Sequence, residues 1–256
     1  MSTKRFKASP ARRPLPARHR RTLAMLWQTT PPSTRGPKAA LTLDRLASAA
    51  ITLADAHGLA GISMSRVAER VGVTPMALYR HVPGKTELVD LAFDTVMGAP
   101  PDLDAISGGW RPRIERWARG LWMIATEHPW TLDVLTRLRL FGPNELAWME
   151  CGARALAEGG LSGAPLVDAL MLIVGQMRTV AQYAIVAPGA GATKGALTSK
   201  QWTAGISAVL DEHAALFPTL AVATASGAFA PVDDPLAFGL DTVLGGIELL
   251  VGKRVV

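Results

Sequence analysis

Apolar residues recur at intervals of three and four through residues 43–97, which is the spacing that places side chains on one face of an α-helix. Leu43, Leu46, Ala50 and Leu53 show this spacing most regularly. Glycine and proline interrupt the pattern repeatedly, so the helices are expected to be short. The pattern predicts four helices, over residues 43–57, 64–70, 75–81 and 87–97.

Hydroxyl side chains stand immediately before these four stretches, where they can accept a hydrogen bond from a free backbone N–H of the first turn. They are Thr42, Ser63, Thr74 and Thr86. Pro75 is a second start signal, because the fixed φ of proline suits the first position of a helix. Gly72 separates the second helix from the third and permits a tight turn between them.

Beyond a glycine- and proline-containing break at residues 98–101, the sequence has no alternating strand pattern and stays helical in its periodicity. The helices predicted there cover residues 112–126, 131–140, 144–158, 165–186, 199–216 and 235–252. We therefore predict an all-α protein. A three-helix helix-turn-helix domain is expected at residues 35–98, and a larger helical domain at residues 99–256.

Composition supports this division into two domains. The chain has 256 residues, 49% of them hydrophobic, which is enough for two buried cores. Residues 1–98 hold 15 Lys+Arg and 6 Asp+Glu, a balance of +9, whereas the remaining residues have a balance of −3. A basic part joined to a mildly acidic one is typical of a protein that binds a polyanion through one domain.

The first forty residues carry ten Lys/Arg, six prolines and no acidic side chain. Such a segment buries too little apolar surface to order itself, so residues 1–34 are predicted to be a disordered basic arm. The alternative is that translation starts at Met25.

Several features indicate a cytoplasmic protein. Cys151 is the single cysteine and cannot form an intrachain disulfide, and no Cys/His spacing typical of a metal site surrounds it. Residues 166–187 are apolar but interrupted by polar side chains, which favours a buried helix over a membrane span. Arg20 and Arg21 precede only five apolar residues, too few for a secretion signal. Neither a metal nor a membrane is predicted.

Residues 63–82 have the parts of a helix-turn-helix. An apolar seam is formed by Val67, Val71, Val73 and Leu78, and Ala68 is small enough for two helices to cross closely there. The start and outer face of the 75–81 helix are then left for the major groove of double-stranded DNA. The predicted DNA-binding residues of this segment are Ser63, Ser65, Thr74, Met76, Ala77, Tyr79, Arg80, His81 and, just beyond it, Lys85. The alternative is a helical hairpin in an unrelated helical protein.

This segment resembles the TetR family of bacterial transcriptional regulators, whose pattern is Gly-Val-x-x-x-x-Leu-Tyr-x-His-Val/Phe-x-x-Lys-x-x-Leu. The matching positions are Gly72, Val73, Leu78, Tyr79, His81, Val82, Lys85 and Leu88. The resemblance extends over residues 35–97. It implies that Arg35 and Lys38, which resemble the basic lead-in of the family, approach DNA phosphates or the minor groove.

The resemblance implies an all-α homodimer in which three N-terminal helices bind an operator and a fourth couples them to a larger domain. That domain would bind a small-molecule effector that releases the DNA. It resembles the tetracycline-repressor subgroup through Trp110-Arg-Pro and through residues 127–130 and 238–248. Residues 171–187 contain no His, Asp or Glu, so no counterpart of a ligand-borne magnesium site is expected and no cofactor is predicted.

Six residues of the larger domain are predicted to bind the effector: Trp117, Leu121, Trp148, Met171, Gln176 and Arg178. Aromatic and methionine side chains at helical spacing pack a core more often than they line a pocket, so core packing is the alternative. Gln176 and Arg178 interrupt an apolar helix and need polar partners. Either a ligand or the end of a neighbouring helix can supply them.

The last predicted helix carries an apolar stripe with glycines between its members, which permits close approach of another helix. The stripe comprises Leu236, Leu240, Val243, Leu244, Ile247 and Leu250. Together with residues 165–186 it could form a four-helix seam in a homodimer. The alternative is a core helix within one chain.

No enzymatic activity is predicted. Glu127 and His128 are the nearest approach to a catalytic pair, and no third member accompanies them in sequence. The sequence therefore indicates a one-component regulator, most simply a repressor that binds a pseudo-palindromic operator as a homodimer. The alternative is a small-molecule-binding helical protein without operator binding.

Overall fold

The structure is a computed structural model that describes residues 15–28, 41–185, 198–230 and 232–252. The regular elements within these residues are all helical, which confirms the predicted all-α fold. A 3-10 turn lies at Leu59–Gly61. The α-helices are α1 (Ala17–Leu26), α2 (Leu43–His57), α3 (Met64–Val71), α4 (Pro75–His81), α5 (Lys85–Met97), α6 (Trp110–Glu127), α7 (Thr131–Val134), α8 (Pro143–Glu158), α9 (Ala164–Ile185), α10 (Ser199–Glu212), α11 (Pro218–Ala225) and α12 (Ala237–Gly252).

Helices α2, α3 and α4 form the predicted helix-turn-helix unit, with α2 packed against α3 and α3 against α4. The Thr42 hydroxyl accepts a hydrogen bond from Arg45 N, and the Ser63 hydroxyl accepts one from Arg66 N, both at 3.2 Å. Gly72 has φ 75°, in the left-handed region where glycine costs least. These caps and this turn confirm the local signals in the sequence.

Helix α5 connects the two halves of the molecule. It packs against α2 on one side and against α7 and α8 on the other, and its residues 87–94 are all buried. The helix begins at Lys85, so the predicted Thr86 cap is wrong. Gly84 occupies the cap position with an extended backbone, and its carbonyl accepts the amide hydrogen of Leu88. The helix therefore starts two residues before its predicted first residue.

The larger half is built on α6, α8 and α9, which pack against one another, with α12 lying along α9. Its most buried side chains include Ile114, Trp117, Leu156, Leu170 and Ile173. Residues Ala164–Tyr183 of α9 are long and apolar enough to cross a membrane by length and composition alone. The contacts of α9 with α6, α8 and α12 instead place it within the helical bundle.

Two of the predicted helices in this half end several residues before their predicted last residue, whereas the bounds of the others agree within two residues. The stretch predicted at 131–140 is helical only over Thr131–Val134. The remainder is irregular, and from it Arg137 pairs with Asp90 of α5 and Arg139 pairs with Glu145 at the start of α8. The stretch predicted at 199–216 ends at Glu212 in α10, and α11 follows as a separate helix that the sequence analysis missed.

The predicted disorder of residues 1–34 is wrong for part of that segment, because Ala17–Leu26 forms α1. Thr22, Met25 and Leu26 recur at intervals of three and one, lie on one face and are buried, and α1 packs against α5. Pro16 directly precedes the helix, where its missing N–H costs nothing. The rest of the predicted arm, at 1–14 and 29–34, lies outside the described residues.

Candidate functional site

Helix α4 is short and presents most of its surface outward. The Thr74 hydroxyl accepts from Ala77 N at 3.4 Å, and Pro75 occupies the first position. Leu78 is the one fully buried side chain of the helix and anchors it to α3. A seven-residue helix held by one apolar anchor leaves its start and outer face free.

The residues predicted to contact DNA gather on this free face and at its margins. Met76 is 69% exposed and Tyr79 is 44% exposed. Thr74, Arg80 and His81 are exposed and Ala77 is half-buried. On α3, Ser65 is exposed, whereas the half-buried Ser63 serves as its helix cap. Hydroxyl, apolar, phenol and guanidinium groups are therefore exposed together on and beside α4.

Lys85 lies at the first position of α5, just beyond α4, and is exposed. Its ammonium group donates a hydrogen bond to the Leu59 carbonyl at 2.9 Å. An exposed ammonium keeps two further donors for a phosphate oxygen. Arg35 and Lys38 lie outside the described residues.

Arg21 of α1 contacts the end of α4 and is not among the residues predicted from the sequence. Its guanidinium donates to the carbonyls of Tyr79 and Arg80 at the end of α4, at 3.0 and 3.2 Å. The helical spacing of Thr22, Met25 and Leu26 could have indicated this helix. The prolines and positive charges near these residues indicated disorder instead.

Four buried carboxylates line the junction between α5 and the larger half: Glu87, Asp90, Asp94 and Glu145. Burial raises the pKa of Asp90, Asp94 and Glu145. Neighbouring arginines partly oppose this at Asp90 and Glu145, and at Asp94 hydrogen bonds from backbone N–H groups oppose it most. Burial alone would also raise the pKa of Glu87, but the hydrogen bond and charge of Arg18 bring it below its usual value. Arginine side chains therefore pair with three of these carboxylates, and a backbone N–H group binds the fourth, Asp94.

Asp94 connects α5 to the start of α8. Its carboxylate accepts the Glu145 backbone N–H at 2.9 Å, so it acts as a cap supplied by another helix. A Cβ at Gly142 would lie 2.2 Å from Asp94 Cγ, which leaves room only for glycine. Asp55 of α2 makes a second connection, since it lies 2.7 Å from both His128 Nδ1 and Trp130 Nε1.

The predicted effector residues are spread over different environments. Trp117, Leu121 and Trp148 are 2%, 8% and 5% exposed and lie together in the core. Trp117 Nε1 donates to the Trp148 carbonyl, and Trp148 Nε1 donates to that of Met97, each at 2.8 Å. Met171 is 47% exposed.

Gln176 and Arg178 are both half-buried on α9. The Gln176 amide lies against α12, where a Cβ at Gly239 would come within 1.9 Å of its Nε2. The neighbouring helix thus occupies the space beside Gln176 in this conformation.

The apolar stripe of α12 is divided between core and surface. Leu236, Leu240, Leu244 and Ile247 are buried and belong to the core of one chain. Val243 is half-buried and Leu250 is 56% exposed. The stripe is therefore mainly a core feature, because α9 of the same chain covers it.

The sequence of this chain matches two known protein-family descriptions, one for each half. Residues 46–92 match the family described as "Bacterial regulatory proteins, tetR family". Residues 101–251, more than half of the chain, match "Tetracyclin repressor-like, C-terminal domain". The chain belongs to the TetR family.

Two proteins that are similar in sequence to this chain are named as transcriptional regulators. The "HTH-type transcriptional repressor DrrR1" of Streptomyces coeruleorubidus is 38% identical over 239 residues, which are 91% of this chain and 87% of that protein. An "HTH-type transcriptional regulator" of Saccharopolyspora erythraea is 36% identical over 133 residues, 52% of this chain and 56% of that protein. This TetR-family chain is a transcriptional regulator.

Solved TetR-family structures share its fold. Apo ActR from Streptomyces coelicolor superposes with a TM-score of 0.74 at 24% identity, covering 85% of this chain and all of that one. ActR in complex with actinorhodin gives a TM-score of 0.69 at 26% identity, covering 83% of this chain and 99% of that one. The fold of ActR thus extends over both halves of this chain.

Proposed function

We propose that this TetR-family regulator is a cytoplasmic homodimeric repressor that binds a pseudo-palindromic DNA operator through α4 and is released by a small-molecule effector. The observation that carries the proposal is the face of α4, where Thr74, Met76, Tyr79, Arg80 and His81 are exposed around one buried anchor. A short helix with a free N-terminal end suits the major groove. The similarity to a named repressor over 91% of the chain supports repression.

Replacing Arg80 with alanine is expected to weaken binding to the operator about tenfold or more and to reduce discrimination against altered sequences. Replacing Lys85 with alanine is expected to weaken binding to all sequences more evenly, because an ammonium group binds phosphate oxygens rather than base edges. It should lower the salt slope by about one. Both are measured by fluorescence anisotropy with an operator selected by the parent protein, over a series of salt concentrations.

Lys200→Ala is the matched control, because it removes one positive charge from exposed α10 in the other half. It should bind the operator like the parent protein. If Arg80→Ala and Lys85→Ala also do so, the proposed face is incorrect. If the parent protein selects no duplex at low salt, the alternative of a small-molecule-binding protein without operator binding replaces the proposed function.

A homodimer is supported by the apolar side chains that one chain leaves exposed. On α12, Phe238 is 85% exposed and Leu249 is 68% exposed, and on α9 Leu172 is 54% exposed and Tyr183 is 76% exposed. An exposed apolar surface of this kind is typical of an interface. We place the dimer contact on these outward faces of α9 and α12.

Replacing Phe238 with glutamate is expected to weaken the dimer about tenfold or more, since it would bury a charge in the contact. Sedimentation velocity at micromolar concentration measures this. The control is Asp211→Ala, which changes an exposed side chain of α10 away from the proposed contact. A monomeric parent protein, or a Phe238→Glu variant as dimeric as the parent, would contradict the proposed contact.

The effector is proposed to bind between α6, α8 and α9, where Trp117, Leu121 and Trp148 lie. These side chains fill the space in this conformation, so binding requires them to separate. ActR, which shares the fold, has been solved with actinorhodin. We therefore propose a largely apolar small molecule with polar groups at its edge, for which Gln176 and Arg178 are candidate partners.

A further inference from the structure

Helix α1 contacts α4, which is the recognition helix of the proposed function, and packs against α5, although it precedes the helix-turn-helix in sequence. Thr22, Met25 and Leu26 are 3%, 6% and 3% exposed, and they fix the second half of α1 against the protein. The residues of the first half, 17–21, are exposed. An open cleft of about 460 Å³ there is lined by Ala17, Arg18, Arg21 and Pro83. Long arginine side chains make the contacts across this end.

Arg21 completes the end of α4. The last carbonyls of any helix lack partners within it, and α4 leaves through Val82 in an extended conformation rather than through a glycine turn. Arg21 Nη2 donates to two of these carbonyls, at 3.0 Å for Tyr79 and 3.2 Å for Arg80. A cation at this position also interacts favourably with the helix dipole.

Arg18 makes the second contact of α1, to α5. Its Nε donates to Glu87 Oε1 at 2.7 Å, and the Glu87 side chain is 5% exposed. The other carboxylate oxygen, Oε2, is buried and has no hydrogen-bond partner. Among the ion pairs of the described residues, Arg18 is the cation that balances this buried charge, so α1 is part of the α5 environment.

Trp27 makes the third contact, directly after α1. Its Nε1 donates to the carbonyl of Phe141 at 3.2 Å, in the segment that leads into α8. The segment consisting of α1 and Trp27 therefore contacts the recognition helix, the connecting helix α5 and the larger half. It forms a link from α4 to that half which does not run through α5.

We propose that α1 together with Trp27 is a strap that positions the recognition helix relative to the effector-binding half, with Arg21 as its positioning residue. This rests on the proposed DNA-binding function of α4. A strap of this kind stabilises one orientation of α4, so it should favour binding to the specific operator over other sequences. Arg21 acts through the α4 backbone and is not assigned a DNA phosphate.

The test compares Arg21→Ala with Arg20→Ala in the full-length chain. The two variants lose the same charge one residue apart, but the Arg20 guanidinium donates to the Leu15 carbonyl and not to α4. Arg21→Ala is expected to weaken binding to the parent-selected operator about five- to tenfold with an unchanged salt slope. Arg20→Ala should bind within about twofold of the parent protein.

A salt slope that falls by about one in Arg21→Ala would overturn the positioning role, because it would show a lost phosphate contact. Equal effects of Arg20→Ala and Arg21→Ala on operator binding would overturn it as well, since only the shared charge would then matter.

Hydrogen exchange without DNA separates the strap from the proposed function. The backbone amides of residues 78–82 should exchange about five- to tenfold faster in Arg21→Ala, and about twofold or more faster in Trp27→Phe, which keeps an aromatic ring at this position but loses the N–H donor to Phe141. Unchanged exchange in Arg21→Ala would overturn the strap whether or not the protein binds DNA. Unchanged exchange in Trp27→Phe would overturn its link to the effector-binding half.

Discussion

Replacing Arg139 with methionine is expected to lower the free energy of unfolding by about 3–5 kcal/mol. The Arg139 side chain is 4% exposed, and both of its terminal nitrogens pair with the carboxylate of Glu145, which is 9% exposed. Its guanidinium carbon lies 4.1 Å from the centre of the Phe93 ring on α5. Methionine fills a similar volume but leaves the Glu145 charge buried without a counter-ion, which causes most of the loss.

Equilibrium denaturation in urea measures this loss. The control is Arg154→Ala, which opens a pair with Asp104 whose side chains are 53% and 67% exposed and should cost less than about 0.5 kcal/mol. The double variant Arg139→Met with Glu145→Leu should regain most of the stability, since the Glu145 charge is removed together with its counter-ion. If Arg139→Met costs no more than the control, the buried pair does not stabilise the junction.

The loss in Arg139→Met should also depend on pH. Burial raises the pKa of Glu145 in the parent protein while the hydrogen bond and charge of Arg139 oppose the rise, so the pKa should be higher still in the variant. The folded variant then holds a proton that the unfolded chain releases, and its stability increases as the pH falls through the raised pKa. The deficit should therefore be smaller at about pH 5 than at about pH 7.5.

Helices α2 to α5 could be predicted because their signals are local. Thr42, Ser63 and Thr74 cap the helices that the sequence indicated, and Gly72 adopts the left-handed conformation that its turn requires. Each of these interactions spans three or four residues, so a single sequence contains both partners. The same signal misplaced the start of α5, because Thr86 is equally consistent with a cap and with a helical position.

Features that depend on distant partners could not be predicted. Asp90 and Arg137 are 47 residues apart, and a charged residue in a single sequence is ordinarily taken to be exposed. Helix α1 was also not predicted, because it packs against the distant helix α5. The arginines around its three buried residues indicate disorder when only the local sequence is considered. For the tryptophans the sequence predicts burial but cannot separate a core from a pocket.

Trp117 shows how that distinction can be measured. It is 2% exposed and lies between α6, α8 and α9: a Cβ at Gly152 would come within 2.8 Å of Trp117 and 2.9 Å of Leu170. Trp117→Ala is expected to lower the free energy of unfolding by about 3–5 kcal/mol, because it removes a large buried side chain and leaves a cavity. Trp117→Phe keeps much of the packing and should cost about 1–2 kcal/mol through the lost hydrogen bond to the Trp148 carbonyl.

The size of the Trp117→Ala loss separates a closed core from a preformed pocket. If Trp117 lined a pocket that is open without effector, one face of its ring would already lack packing partners, and truncation would cost about 1–2 kcal/mol. Urea denaturation measures the difference, with Met123→Ala as the control at a side chain of α6 that is 60% exposed and should change stability by less than about 0.5 kcal/mol. A loss near 4 kcal/mol means that an effector must first displace packed side chains. Such an effector could then shift the position of α4 only by binding the separated arrangement of these side chains more tightly than the packed one.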